Sequence, residues 1–169
     1  MNVAMLFPDR VERLILGGHR FAAPPDPQAA ETWRHRIEPL QQGDWQGFFK
    51  SSIEAYPDLG DPAIAAWLRG DNDPLAGAAV LSGQWLIGER VSIDLSRFRD
   101  RTLVYVGSEE YWLQPEGALE QLRNRCEDAG VLLEVIQGAG HLPSFIEAGQ
   151  VIPVVRRYLE AAEGAAPLQ

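Results

Sequence analysis

Three kinds of hydrophobic pattern follow one another along the chain. Near the start, Val11-Glu12-Arg13-Leu14-Ile15-Leu16 ends at Gly17-Gly18 and predicts a strand. The apolar stretch before it, Val3-Ala4-Met5-Leu6-Phe7, has helical composition and is broken by Pro8-Asp9-Arg10. No acidic first turn opens that stretch, so it reads as a helix met halfway. From about residue 20 to 101 the pattern turns helical, with helices expected over residues 29–41, 45–55, 62–69 and 74–81. Gly43-Asp44, Pro57-Asp58 and Gly70-Asp71-Asn72-Asp73 separate them, and Asp44, Asp61 and Asp73 occupy N-cap positions. Pro24-Pro25-Asp26-Pro27 forms a stiff spacer at the front of this region.

The last third is the most regular. Thr102-Leu103-Val104-Tyr105-Val106 is a continuous apolar run ending in Gly107, as expected of a strand covered on both faces. A helix over residues 115–129 is stopped by Gly130. Val131-Leu132-Leu133-Glu134-Val135-Ile136 is the next strand, and a closing helix runs from Ser144 or Glu147 to Ala162. Strand, helix, strand at this spacing is a right-handed crossover between parallel strands. The turns after both strands therefore share one sheet edge, where open α/β folds place their ligands. The expected class is α/β: about three parallel strands with flanking helices and an inserted helical cap. Residues 1–20 carry a helix end and a strand, 21–100 the helical insertion, and 101–169 the last two strands and the closing helix.

Composition narrows the partners. Hydrophobic residues make up 46% of the 169, ample for a core. The net charge is −9, and every basic residue but Lys50 is an arginine, with no basic stripe. Nucleic acid and anionic membranes are therefore not expected partners. The lone Cys126 makes neither an internal disulfide nor a cysteine metal cluster, which fits a reducing cytoplasm. The start does not read as a signal peptide, and there is no run of 18 apolar residues. No cofactor or metal is expected.

The candidate chemistry lies at the sheet edge. Glu109 and Glu110 follow the first strand of the regular region, and His141 follows the second, within Gly138-Ala139-Gly140-His141-Leu142-Pro143. Adjacent parallel strands lie about 5 Å apart, so short loops can bring a carboxylate to an imidazole. A carboxylate on one ring nitrogen fixes the tautomer and stabilises the imidazolium formed when the other takes a proton. The bland alternative is a histidine bracing a turn beside two solvated glutamates.

These motifs, in order, resemble the α/β-hydrolase family. Pro8-Asp9-Arg10-Val11-Glu12-Arg13-Leu14-Ile15-Leu16 is similar to its turn and sixth strand. Thr102-Leu103-Val104-Tyr105-Val106-Gly107-Ser108-Glu109-Glu110 is similar to the seventh strand and acid turn. Ile136-Gln137-Gly138-Ala139-Gly140-His141-Leu142-Pro143 is similar to the eighth strand and histidine loop. Between the sixth and seventh strands such proteins carry a helical cap, which matches the middle region in place and size.

The resemblance implies that His141 is the base and Glu110, rather than Glu109, the acid. Aspartate is commoner at the acid position, Tyr111-Trp112 stands where a proline often follows, and Arg101 where one often precedes the strand. The family's nucleophile sits on a Gly-x-Ser-x-Gly elbow. Ser51, Ser52, Ser82, Ser92, Ser96, Ser108 and Ser144 all lack the paired glycines, and Cys126 falls mid-helix. The oxyanion-hole loop has no counterpart either. The chain thus reads as the carboxyl-terminal portion of the fold, its nucleophile upstream of Met1, with an exposed sheet edge suited to an oligomer or a complementary fragment.

Two functional classes follow. One is a serine-hydrolase lineage acting on a small ester or acyl-type molecule, with Trp33, Trp45, Phe49 and Trp67 (Phe48 beside them) lining its pocket. Aromatic residues at helical spacing also serve as a cap's own core, and His19 and Arg20 are candidates for substrate contact or plain surface. The other class is a truncated or degenerate module, catalytically silent, that binds or interacts.

Overall fold

Three strands hydrogen-bond side by side in chain order: β1 (Leu14–Gly17), β2 (Thr102–Gly107) and β3 (Leu132–Ile136), all parallel. Leu14 is level with Thr102, and Leu103 with Leu132. The computed structural model describes residues 4, 6–18, 27–54, 56–70, 72–88 and 94–163, with the side chains of 27–30, 32, 83–88, 162 and 163 set aside. His19, Arg20, Pro24-Pro25-Asp26, the Trp85 side chain and Ser92 lie outside that set.

The chain forms two compact units. One joins Met1–Arg20 to Ile93–Gln169, and the other is Phe21–Ser92. Residues 94–100, assigned to the insertion on sequence pattern, cluster with the sheet unit. Their short 3-10 turn, Leu95–Phe98, buries Phe98 completely, and the Phe98 carbonyl accepts from Thr102 Oγ1 at 3.0 Å.

In the sheet unit, β2 is the central strand, and Leu103, Val104 and Val106 have essentially no exposed surface. The crossover helix α5 (Ala118–Ala129) buries Leu122 and Cys126. It begins three residues later than the pattern suggests, because Gly117 takes a left-handed backbone (φ 76) that cannot belong to a helix. The closing helix is two pieces, α6 (Pro143–Ile146) and α7 (Ala148–Glu163), interrupted at Glu147. Val151 of α7 packs with Ile136 and Ala139, Tyr105 joins the cluster, and Arg157 Nη2 meets Glu134 Oε1 at 2.9 Å. Register puts Tyr105, Glu134 and Ile136 on one sheet face, the face that α7 covers.

The first strand is shorter than expected, starting at Leu14 rather than Val11. The Val11 carbonyl accepts from Arg101 Nη1 at 2.9 Å, and the Val11 N–H donates to Pro8 O at 3.3 Å, so neither joins the ladder. Of the apolar stretch at residues 3–7, Ala4 is buried while Leu6 and Phe7 are exposed.

The second unit is helical: α1 (Pro27–Gln41), α2 (Trp45–Ser52), α3 (Pro62–Arg69) and α4 (Pro74–Gly88). Asp44 accepts from Gly47 N at 2.9 Å, and Asp61 from Ala63 N at 2.7 Å and Ile64 N at 3.3 Å, as N-caps do. Asp73 accepts from Leu75 N at 2.9 Å. Helix α4 outruns its expected end at Leu81, because Ser82 satisfies its hydroxyl on the Ala78 carbonyl at 2.7 Å and does not break the turn. Ile37, Leu40 and Ala78 form this unit's core. Among the described residues, no helix is long and apolar enough to cross a membrane.

Candidate active site

Two loops leave the same edge of the sheet and are zipped together before either reaches its titratable residue. Ser108 N donates to Ile136 O at 2.9 Å, Glu109 N to Ala139 O at 2.9 Å, and Gly138 N to Ser108 Oγ at 2.9 Å. Gly107 permits this approach, because a Cβ there would overlap the Ala139 and Gly140 carbonyls. A short 3-10 turn, Tyr111–Leu113, then anchors the acid from the other side, with Leu113 N donating to Glu110 O at 2.9 Å.

The outcome is a close pair. His141 Nδ1 lies 2.9 Å from Glu110 Oε2 and 3.1 Å from Oε1. The Glu110 side chain is fully buried, whereas that of His141 is 32% exposed. Glu109 faces solvent, so of the two adjacent glutamates only Glu110 meets the ring. A buried carboxylate is costly unless a hydrogen-bond donor or cation meets it. Nδ1–H is that donor, which leaves Nε2 as the basic nitrogen. The Tyr111 ring stands edge-on to the imidazole, 6.4 Å between centroids.

Chemically, the pair can take a proton at Nε2 and stabilise the resulting imidazolium through Glu110. Neither cysteine nor serine in the described sheet unit sits as a nucleophile on a strand-to-helix elbow. Cys126 is 1% exposed inside α5, and burial raises its thiol above the ordinary value, which suppresses the thiolate. Ser108 holds the Gly138 N–H, and Ser144 lies exposed in α6.

The aromatic residues expected to contact substrate are all in the helical unit. Trp45 stacks on Phe49 at 5.8 Å and meets Phe48 edge-on at 5.8 Å, and Trp45 and Phe48 pack on Ile37, Leu40 and Ala78. Trp33 lies 6.3 Å from Tyr56, with the Arg36 guanidinium over both rings. Trp67 is 57% exposed. Arg36 was not anticipated; its i, i+3 spacing from Trp33 was the available signal. Gly18 was anticipated only as a strand end, yet it lies against the histidine loop.

No protein-family profile and no curated relative matches the chain. Solved structures do. The peroxisomal alpha-beta-hydrolase Lpx1 of Saccharomyces cerevisiae superposes with a TM-score of 0.59 at 16% identity, over 98% of this chain and 50% of that one. E-2-(acetamidomethylene)succinate hydrolase superposes with a TM-score of 0.55 at 19% identity, over 93% of this chain and 60% of that one. The chain thus spans between half and three fifths of the length of these structures.

Proposed function

With the chain built as part of the α/β-hydrolase fold, we propose that it carries the acid–base half of a hydrolase triad acting on a small ester or acyl-type substrate. His141 is the general base and Glu110 orients and charges it. The observation that carries this reading is the 2.9 Å contact between a partly exposed imidazole and a fully buried carboxylate at the carboxyl ends of parallel strands. A solvated, turn-bracing histidine does not require a glutamate with no exposed surface.

By itself the chain uses His141 to activate water directly, and a complementary polypeptide segment docked on the sheet unit would supply the nucleophile and oxyanion donors of the full reaction. The free edge of β1 supports such a partner, since the sheet order leaves that strand paired on one side only among the described residues. Trp67, the exposed member of the aromatic set, is the best candidate for substrate contact. Trp33, Trp45 and Phe49 pack within the helical unit and are further candidates for substrate contact.

A silent binding module is the second reading. It is favoured by Cys126 being sealed in a helix and by no described serine occupying an elbow. Hydrolysis of a p-nitrophenyl ester by the chain and by His141→Ala decides between them. The catalytic reading expects the substitution to lower the rate at least tenfold; equal rates leave the silent module standing.

A further inference from the structure

We propose that Gly18 is a positioning residue for the Glu110–His141 pair, acting through the absence of a side chain. The proposal rests on the acid–base reading of that pair and adds a third element, the end of β1. Gly18 directly follows the strand, takes a left-handed backbone (φ 60) and donates its N–H to Tyr105 O at 2.9 Å. That bond holds the first residue beyond β1 against β2, at the level from which the acid turn departs. A Cβ placed on Gly18 would lie 2.8 Å from the His141 carbonyl oxygen, 3.8 Å from His141 Nδ1 and 3.9 Å from Glu110 Oε2. Its bare α carbon is thus part of the wall behind both partners.

The contact at 2.8 Å is to backbone and cannot be relieved by a rotamer change. Any side chain at this position pushes the His141 loop outward. The Nδ1–Glu110 hydrogen bond lies beside the intruding atom, so the push acts on the contact that fixes the tautomer. Water then gains a path to a carboxylate that is otherwise sealed. Gly17 differs in kind: the three atoms nearest a Cβ there all belong to the ring and hydroxyl of Tyr105, a side chain.

Two glycines of the sheet unit separate this role from simple backbone strain. Gly117 shares the left-handed conformation (φ 76) but has no atom within 4 Å of an added Cβ. Alanine at 117 therefore carries the conformational penalty alone, and alanine at 18 carries it together with the collision.

The test is NMR on chain labelled with 15N in its histidines. In the unsubstituted protein the ring nitrogens are expected to report proton occupancy of Nδ1, with a low-field Nδ1 proton. Gly18→Ala is expected to lose that resonance and move the ring shifts towards a tautomer mixture, while Gly117→Ala keeps both as in the parent. A folded Gly18→Ala with parental ring shifts overturns the proposal. A second reading covers the case in which Gly18→Ala does not fold. In the parent, the Gly18 amide is expected to shift as the imidazole gains its proton, and to stop doing so in His141→Ala. An unresponsive Gly18 amide also overturns the proposal. Neither readout uses substrate, so an ester assay indifferent to His141→Ala removes the base assignment and leaves the role of Gly18 to be judged on its own.

Discussion

Glu110 shows how much depends on one oxygen pair. Its carboxylate has no exposed surface and meets the Nδ1 proton of His141. Glu110→Ala should lower stability by about 2 kcal/mol, because it strands the donor and empties a packed site. Glu110→Gln keeps the shape and should cost less than half as much, while still slowing any His141-dependent hydrolysis; urea titrations and the ester assay read the two effects. Cys126 gives a prediction of pH dependence. Burial raises its thiol, so the folded protein holds this proton more tightly than the unfolded chain does. Its contribution is intact below the thiol's ordinary value, about 8.5, and is lost as pH climbs through the raised folded value. Tyr158, also raised by burial and partly offset by Arg13, adds a further loss at higher pH. Cys126→Ala should flatten the first part of the decline, seen as urea midpoints collected from pH 7 to 10. At this scale the sequence was informative where residues were near in strand order. Glu110 and His141 could be paired on paper because they follow neighbouring strands. The nearness of Gly18 could not, because it depends on where a third strand ends in space.

Among elements, the helix bounded by its own chemistry at both ends was the most legible. Helix α3 spans the residues its pattern indicated, since Asp61, Pro62 and Gly70 bound it chemically. Asp61 satisfies two amide donors, so Asp61→Ala should destabilise the helical unit by about 1 kcal/mol and Asp61→Asn by much less, measured by chemical denaturation. Ends set by distant partners were hidden. The Arg101 guanidinium, 4.8 Å from the Phe98 ring centroid, takes the carbonyl of Val11 and the carbonyl of Arg97, and so shortens a strand ninety residues earlier in the chain. The aromatic residues of the helical unit illustrate a further limit. Periodicity marks a residue as face-forming but does not say what that face meets, so the packing of Trp45 and Phe48 on Ile37, Leu40 and Ala78 was not readable before the helices were placed.

For the molecule as a whole, the alternation of the parallel ladder has a practical use. Leu14 N and Gly18 N donate towards β2, so the Ile15 N–H points to the open side of β1. The parent is expected to self-associate in a concentration-dependent way through that side. Ile15→Pro removes a donor there without removing a bond to β2, and should shift sedimentation towards the monomer. A parent that stays monomeric at high concentration, with a cooperative melt, would sink this expectation. Fold class was legible at this scale because three strands, their order and the crossover follow from apolar runs and spacing. Which surfaces meet was not. Finally, the pairing of Glu110 with His141 inside one strand–helix–strand unit has an evolutionary side. Both residues are encoded within a short contiguous stretch, so recombination that breaks a gene anywhere between codons 19 and 101 passes the pair on whole. Exchange of the residues between those breakpoints leaves Glu110 and His141 in place together.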